Sequence, residues 1–263
     1  MSMTKVICFA NNKGGSGKST TCSNVGYAMS AMGKRVLLIV GDMQMNLTLS
    51  FFDEETALEY AKNGKNLYTA MREQKDLYDF IVPTEYENLD IIPSSTLMSS
   101  IEFELFTKWQ REFILRQGLT KIMALNKYDY ILIDSPPTLG CWVMNIMCAS
   151  DYLIVPVEAS PWGLFGLANM FEFYEQVKQI APKLELMGIA VTKASERKNY
   201  FKQTMETLAE LDNVRLFENY IRIDSTVEWA QDNSKPVCAY KKSSRAAGEY
   251  TKLTEEVLKY ANR

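Results

Sequence analysis

Residues 13–20 read Lys-Gly-Gly-Ser-Gly-Lys-Ser-Thr. An apolar stretch, Lys-Val-Ile-Cys-Phe-Ala at 5–10, precedes the run. Cys22, Val25, Ala28, Met29 and Met32 follow it at helical spacing, and Gly33 is placed to stop that helix. A glycine-rich turn between a buried strand and a helix leaves few folds open. Glycines let backbone N–H groups converge on an anion, and a helix start adds favourable partial charge. In this context Gly-Ser-Gly-Lys-Ser-Thr is a phosphate-binding loop. Gly14, Gly15, Ser16, Gly17, Lys18, Ser19 and Thr20 are the candidate nucleotide-binding residues. Lys18 would reach the β- and γ-phosphates, and the Ser19 hydroxyl would ligate Mg²⁺.

Five more apolar runs follow, at 35–40, 89–93, 128–134, 151–157 and 185–192. They are apolar on both faces, as parallel strands are when helices cover both sides. Helical patterns lie at 162–180, 199–211 and 244–261. In the last, Ala246, Tyr250, Leu253, Val257 and Tyr260 form one stripe. Strand–helix alternation predicts an α/β fold: a doubly wound, mostly parallel sheet with helices on both faces. No repeat or linker-like run divides the chain, so a single domain over 1–263 is expected. Ligands of such sheets bind beyond the carboxyl ends of the strands.

Composition narrows the chemistry. With 263 residues, 47% of them hydrophobic, the chain can bury a large core without disulfides. The five cysteines, at 8, 22, 141, 148 and 238, contain no Cys-x-x-Cys pair. They read as small apolar residues of a reducing, cytoplasmic protein. There is no histidine, which excludes Ser-His-Asp and Cys-His catalysis and histidine metal sites. Chemistry falls to carboxylates, lysines, backbone amides or a bound metal. The net charge of −3 gives no global attraction to nucleic acid. No apolar run approaches the roughly 20 residues of a membrane helix, so no membrane partner is expected.

Two carboxylates stand at strand ends. Asp134 closes the run Tyr-Asp-Tyr-Ile-Leu-Ile-Asp before a Pro-Pro turn, where a carboxylate can hold Mg²⁺ through water. Asp42 lies just after the second strand, in Arg-Val-Leu-Leu-Ile-Val-Gly-Asp-Met-Gln-Met-Asn. On the residues alone such a carboxylate also reads as a helix or turn cap. With Ser19 these two are the candidate metal set, and Lys18 is the candidate phosphate-neutralising lysine; catalytic roles for Lys13 and Asp42 come only with the resemblance described next. On the residues alone, Lys13 is equally well a solvated loop lysine. Asn12 stands where the general loop pattern has its first glycine.

The form Lys-Gly-Gly-x-Gly-Lys-Ser resembles the deviant Walker A motif of the ParA/MinD group of P-loop ATPases. The run from Asp134 through Pro-Pro-x-Leu-Gly and the trio Asp42, Gln44 and Asn46 are similar to two further motifs of that group. The resemblance covers residues 4 to about 260. It implies that Lys13 is the signature lysine, which reaches the partner's phosphates across an ATP-dependent sandwich homodimer. It implies ATP or ADP with Mg²⁺ as cofactors, Asp134 as the Walker B aspartate and Asp42 as the switch that orients water. Two positions depart from the pattern: Val40 replaces its first Asp, and Met43 the Pro after its second. Nucleotide binding is therefore a firmer expectation than brisk turnover.

Members of the ParA type bind DNA nonspecifically through their C-terminal half. Lys198, Lys202, Arg215, Arg222, Lys241, Lys242 and Arg245 are the candidates here, since phosphate contacts need only a positive patch. Ile221 to Val237 resembles a stretch of that half, with Arg222 on a commonly basic position and Thr226 on another. The segment after 185–192 would border the adenine, with Lys193 a candidate. The expected function is a DNA partition ATPase, nucleoid-associated, stimulated by a ParB-like centromere-binding partner. The rival is a MinD- or TadZ-like positioning scaffold that binds nucleotide and hydrolyses little. The final helix reads as a core-docking helix and not as a basic membrane-surface one.

Overall fold

The computed structural model describes residues 3–160, 163–212 and 214–262. In chain order the elements are β1 (Lys5–Phe9), α1 (Lys18–Ala31), β2 (Val36–Val40), α2 (Glu54–Lys62), α3 (Leu67–Arg72), β3 (Val82–Pro83) and β4 (Leu89–Ile92). Next come α4 (Ile101–Phe106), α5 (Ile114–Gly118), α6 (Thr120–Leu125), β5 (Tyr130–Asp134), α7 (Cys141–Cys148) and β6 (Tyr152–Glu158). The chain continues through α8 (Leu167–Ile180), β7 (Glu185–Thr192), α9 (Asn199–Ala209), α10 (Ser225–Asp232), α11 (Val237–Tyr240) and α12 (Arg245–Ala261). One seven-stranded sheet has the order β3-β4-β2-β5-β1-β6-β7. Its pairings are parallel except β3 on β4.

Side chains alternate across this sheet as the two-residue strand period requires. Val6, Cys8, Leu37, Ile39, Ile131 and Ile133 enter one core, against α3, α4, α5, α7 and α8. Ile7, Phe9, Leu38, Val40, Tyr130 and Leu132 enter the other, against α1 and α12. That is why the strands read as continuous apolar runs. The six expected strands are all present, each within two residues of its expected ends. The two-residue β3 was too short to carry a periodic signal.

The expected helix at 162–180 begins at Leu167. Residue 162 lies outside the described residues. Gly163 and Gly166 occupy close turns before the helix; a side chain at Gly163 would run into the Glu158 carbonyl. The helices expected at 199–211 and 244–261 are α9 and α12, and Ser244 caps α12 by accepting the Ala247 N–H. Among the described residues no helix is long and apolar enough to cross a membrane.

The helix after the glycine loop is held unusually close to the sheet. A Cβ on Gly26 would lie 2.6 Å from Leu38 Cδ2 and 3.4 Å from Leu132 Cδ1. This close approach brings the start of α1 over the ends of β2 and β5. Gly26→Val is expected to overpack that contact and lower stability by about 2–3 kcal/mol. Urea denaturation of the two proteins checks it.

Candidate functional site

The loop between β1 and α1 owes its shape to two left-handed glycines. Gly15 has φ +74° and Gly17, which caps α1, has φ +84°. Residues with a Cβ rarely adopt this conformation. Asn11 secures the loop's first half: its Nδ2 donates to Pro156 O at 2.7 Å, and its Oδ1 accepts the Lys13 N–H at 3.0 Å. Thr192, the last residue of β7, secures the second half by donating from Oγ1 to Ser16 O at 2.8 Å. The backbone N–H groups of Gly14, Gly15, Ser16 and Gly17 find no acceptor among the described residues. The Ser16 hydroxyl is buried without a partner. Backbone donors left open around a buried, unpartnered hydroxyl are what a polyanion fills.

The loop lines a cleft of about 750 Å³. Gly14 through Thr20 face it, with Asp42 and Gln44 across from them. Lys18 is buried, and its Nζ donates to Lys13 O at 3.1 Å. Burial lowers its pKa, and Asp134 and Asp42 push it back up. Asp42 accepts the Gln44 N–H on Oδ1 at 3.0 Å. Burial raises its pKa; that hydrogen bond and the Lys18 charge oppose the rise.

Asp134 is fully buried beneath the loop. It pairs in register with Phe9 of β1 and Val40 of β2, so all three side chains leave the same face of the sheet. Neither of its carboxylate oxygens has a well-formed hydrogen bond. Burial pushes its pKa to about 7; the adjacent Ser19 hydroxyl pulls down, Asp42 pushes up and Lys18 pulls down. Two bare carboxylate oxygens next to a hydroxyl are the donor set a P-loop offers to Mg²⁺, the rest coming from phosphate and water. Among the described residues no three or more Cys, Asp or Glu side chains cluster as a self-sufficient metal cage. The residues present fit Mg²⁺ held jointly with a nucleotide.

Lys13 points away from this cleft. Its Nζ lies 2.9 Å from Glu158 Oε2 and 3.2 Å from Ser160 Oγ, beyond the end of β6. The pair is half-buried.

Several cleft residues escaped the sequence reading. Ile221, Ile223, Val227 and Gln231 form another wall, and Gln231 Nε2 donates to Thr20 Oγ1 at 3.1 Å. They lie two hundred residues from the loop, in the stretch Ile221 to Val237 that was read for its basic positions and not for a place in the cleft. Thr192 was findable, since it ends a parallel strand on the ligand side. Lys193 follows it at φ +50°, and its Nζ comes near Gly15. The seven basic candidates divide. Lys198, Lys202, Arg215, Lys241, Lys242 and Arg245 are exposed, and Arg222 is half-buried. Lys202 makes only a long surface pair with Glu206, and Arg215 lies over the Tyr260 ring. Arg222 is tied to Glu249 at 2.6 Å and Glu196 at 3.3 Å, and Arg245 lies near Asp224 and Glu249. Those two charges are largely neutralised within the chain.

Strand order and glycine loop together give the molecule the architecture of a P-loop nucleotide-binding protein. The family model described as an AAA domain matches residues 4–186. The chain is 32% identical to sporulation initiation inhibitor protein Soj of Bacillus subtilis, over 97% of this chain and 98% of that one. It is also 32% identical to chromosome partitioning protein ParA of Caulobacter vibrioides, over 97% and 94%. The structure superposes on a putative plasmid partition protein of Borrelia burgdorferi bound to AMPPNP, with TM-score 0.79, 25% identity and coverage of 98% and 99%. It shares its fold with cobyrinic acid a,c-diamide synthase of Mycobacterium smegmatis, with TM-score 0.85, 24% identity and coverage of 98% and 95%. The chain belongs to the ParA/Soj family of P-loop ATPases.

The state of Asp134 sets a pH dependence. The unfolded chain releases this proton near the ordinary aspartate value of 3.8 and the folded chain near 7. Between those values the native state binds more protons, so its stability falls as pH rises and levels off above 7. Asp134→Asn is expected to remove that fall and gain about 1–3 kcal/mol at pH 8 over wild type, with no gain at pH 4. Denaturation at the two pH values, without nucleotide, checks it.

Proposed function

We propose that this chain is a DNA partition ATPase that works as an ATP-dependent homodimer. The observation that supports this best is the division of labour between the two loop lysines. Lys18 faces the cleft of its own subunit. Lys13, five residues earlier, is held outside that cleft on Glu158 and Ser160. A lysine there is available to the phosphates of a second subunit docked on the same face.

In this reading the Gly14–Thr20 backbone binds the phosphates of ATP, and the Lys18 ammonium neutralises them. Ser19 and Asp134 hold Mg²⁺, which supplies charge neutralisation at the transferring phosphoryl group. Asp42 orients the attacking water. Ile221, Ile223 and Val227 offer an apolar wall to the adenine. Burial of Val40 beside Asp134 leaves the metal one carboxylate short of the family pattern and fits slow unstimulated turnover. Exposed Lys198, Lys202, Arg215, Lys241 and Lys242 supply phosphate contacts to nonspecific DNA, to which Arg222 and Arg245 add little while paired. A centromere-binding partner of the ParB kind would stimulate hydrolysis and release the DNA.

A second reading, a positioning scaffold that binds nucleotide and hydrolyses little, is favoured by Val40. A DNA retardation assay separates the two. The partition reading expects retardation with ATP and none with ADP; no ATP-dependent binding at low salt would sink it.

Two substitutions test the lysines. Lys18→Ala is expected to abolish nucleotide binding, measured by titration calorimetry. Lys13→Ala is expected to keep monomer binding within about threefold and to lose dimerisation with ATP. Light scattering that finds equal dimers for Lys13→Ala and wild type refutes the role given to Lys13.

A further inference from the structure

We propose that Trp142 is a positioning residue for the switch carboxylate Asp42. Trp142 lies in the first turn of α7 and is 2% exposed. Its indole Nε1 donates to the Gly41 carbonyl at 2.9 Å. On its other side, the Gly41 N–H donates to Asp134 O at 2.9 Å. Gly41 has no room for a side chain: a Cβ would lie 2.5 Å from Asp134 O, 2.9 Å from Ile146 Cδ1 and 3.3 Å from Trp142 Nε1. The residue before the switch is thus pinned at both of its peptide groups.

The consequence follows from peptide planarity. The Gly41 carbonyl oxygen and the Asp42 nitrogen and Cα lie in one rigid plane. A donor that fixes the oxygen fixes the direction in which Asp42 leaves the sheet. The indole itself is held in place. Glu102 of α4 accepts the Cys141 N–H on Oε2 at 2.9 Å and the Trp142 N–H on Oε1 at 3.1 Å. That carboxylate packs against Gly140, where any side chain would collide with it. The start of α7 therefore cannot drift, and the indole carries its position to Asp42.

A buried tryptophan N–H also needs an acceptor for reasons of stability alone. A merely structural Trp142 would lower stability and nucleotide affinity without acting through Asp42. The positioning role rests on Asp42 orienting water in ATP hydrolysis, so the test carries one readout that needs no turnover.

Trp142 is replaced by benzothienylalanine, which keeps the ring shape and lacks the N–H, and separately by Phe. Steady-state ATP hydrolysis is expected to show kcat lowered about fivefold to tenfold, the effect of one lost hydrogen bond, with KM unchanged. In Asp42→Ala the same replacement is expected to have no further effect, since the group being positioned is gone. The second readout is the ¹H–¹⁵N resonance of the Trp142 indole in wild type. It is expected to differ between Mg·AMPPNP and Mg·ADP. Unchanged kcat overturns the proposal, as does a loss that adds fully to that of Asp42→Ala. If Trp142→Phe fails to fold, the benzothienylalanine protein decides. A wild type that hydrolyses no ATP defeats the ATPase reading instead; the indole resonance then decides alone, and identical spectra with the two nucleotides overturn the positioning role.

Discussion

The site depends on taking one carboxylate out of water. Asp134 ends the middle strand of the sheet, with Phe9 and Val40 beside it on the same face and α1 above. A carboxylate with no well-formed hydrogen bond in such surroundings is held against its solvation preference. The fold tolerates it because two large apolar cores surround the sheet. The same desolvation makes the group useful, since charge interactions strengthen where water is excluded. A divalent cation held jointly with a nucleotide would offset that desolvation.

Val40 gains its meaning from that neighbourhood. A carboxylate at position 40 would stand next to Asp134 on one face of adjacent strands, and two like charges there disfavour each other's ionisation. The apolar side chain avoids that repulsion and joins the core between the sheet and α1. It also leaves Asp134 as the carboxylate of this strand layer.

Much of this could be read from the chain before its fold was known. The strands announced themselves because burial on both faces makes them continuous apolar runs. Gly14 to Thr20, Asp42 and Asp134 were legible as neighbours because each belongs to a short local motif at a strand end, whereas the turn of Lys13 toward Glu158 was not. The short helices between 54 and 125 were not, since pieces of five to nine residues hold too few turns for a periodic signal. Glu158, Gln231 and Trp142, and the bond that Thr192 makes to the loop, were missed for a different reason. Each matters through a partner more than a hundred residues away, and no spacing records such a meeting. Arg222 and Arg245 show the converse: a basic residue can be seen in sequence, but its neutralising carboxylates cannot.

The contact between Lys13 and Glu158 has a thermodynamic corollary. A lysine that leaves a carboxylate for a phosphate exchanges one anion for another, without forming a charge pair from free ions. Screening by salt acts on both sides of such an exchange and largely cancels. Association through this lysine would then respond weakly to ionic strength, whereas phosphate contacts made by the exposed lysines of α9 and the α11–α12 turn would weaken steeply. One chain would thus contain two electrostatic events of opposite salt character, so the ionic strength of the medium could release bound polyanion while the subunits stay together.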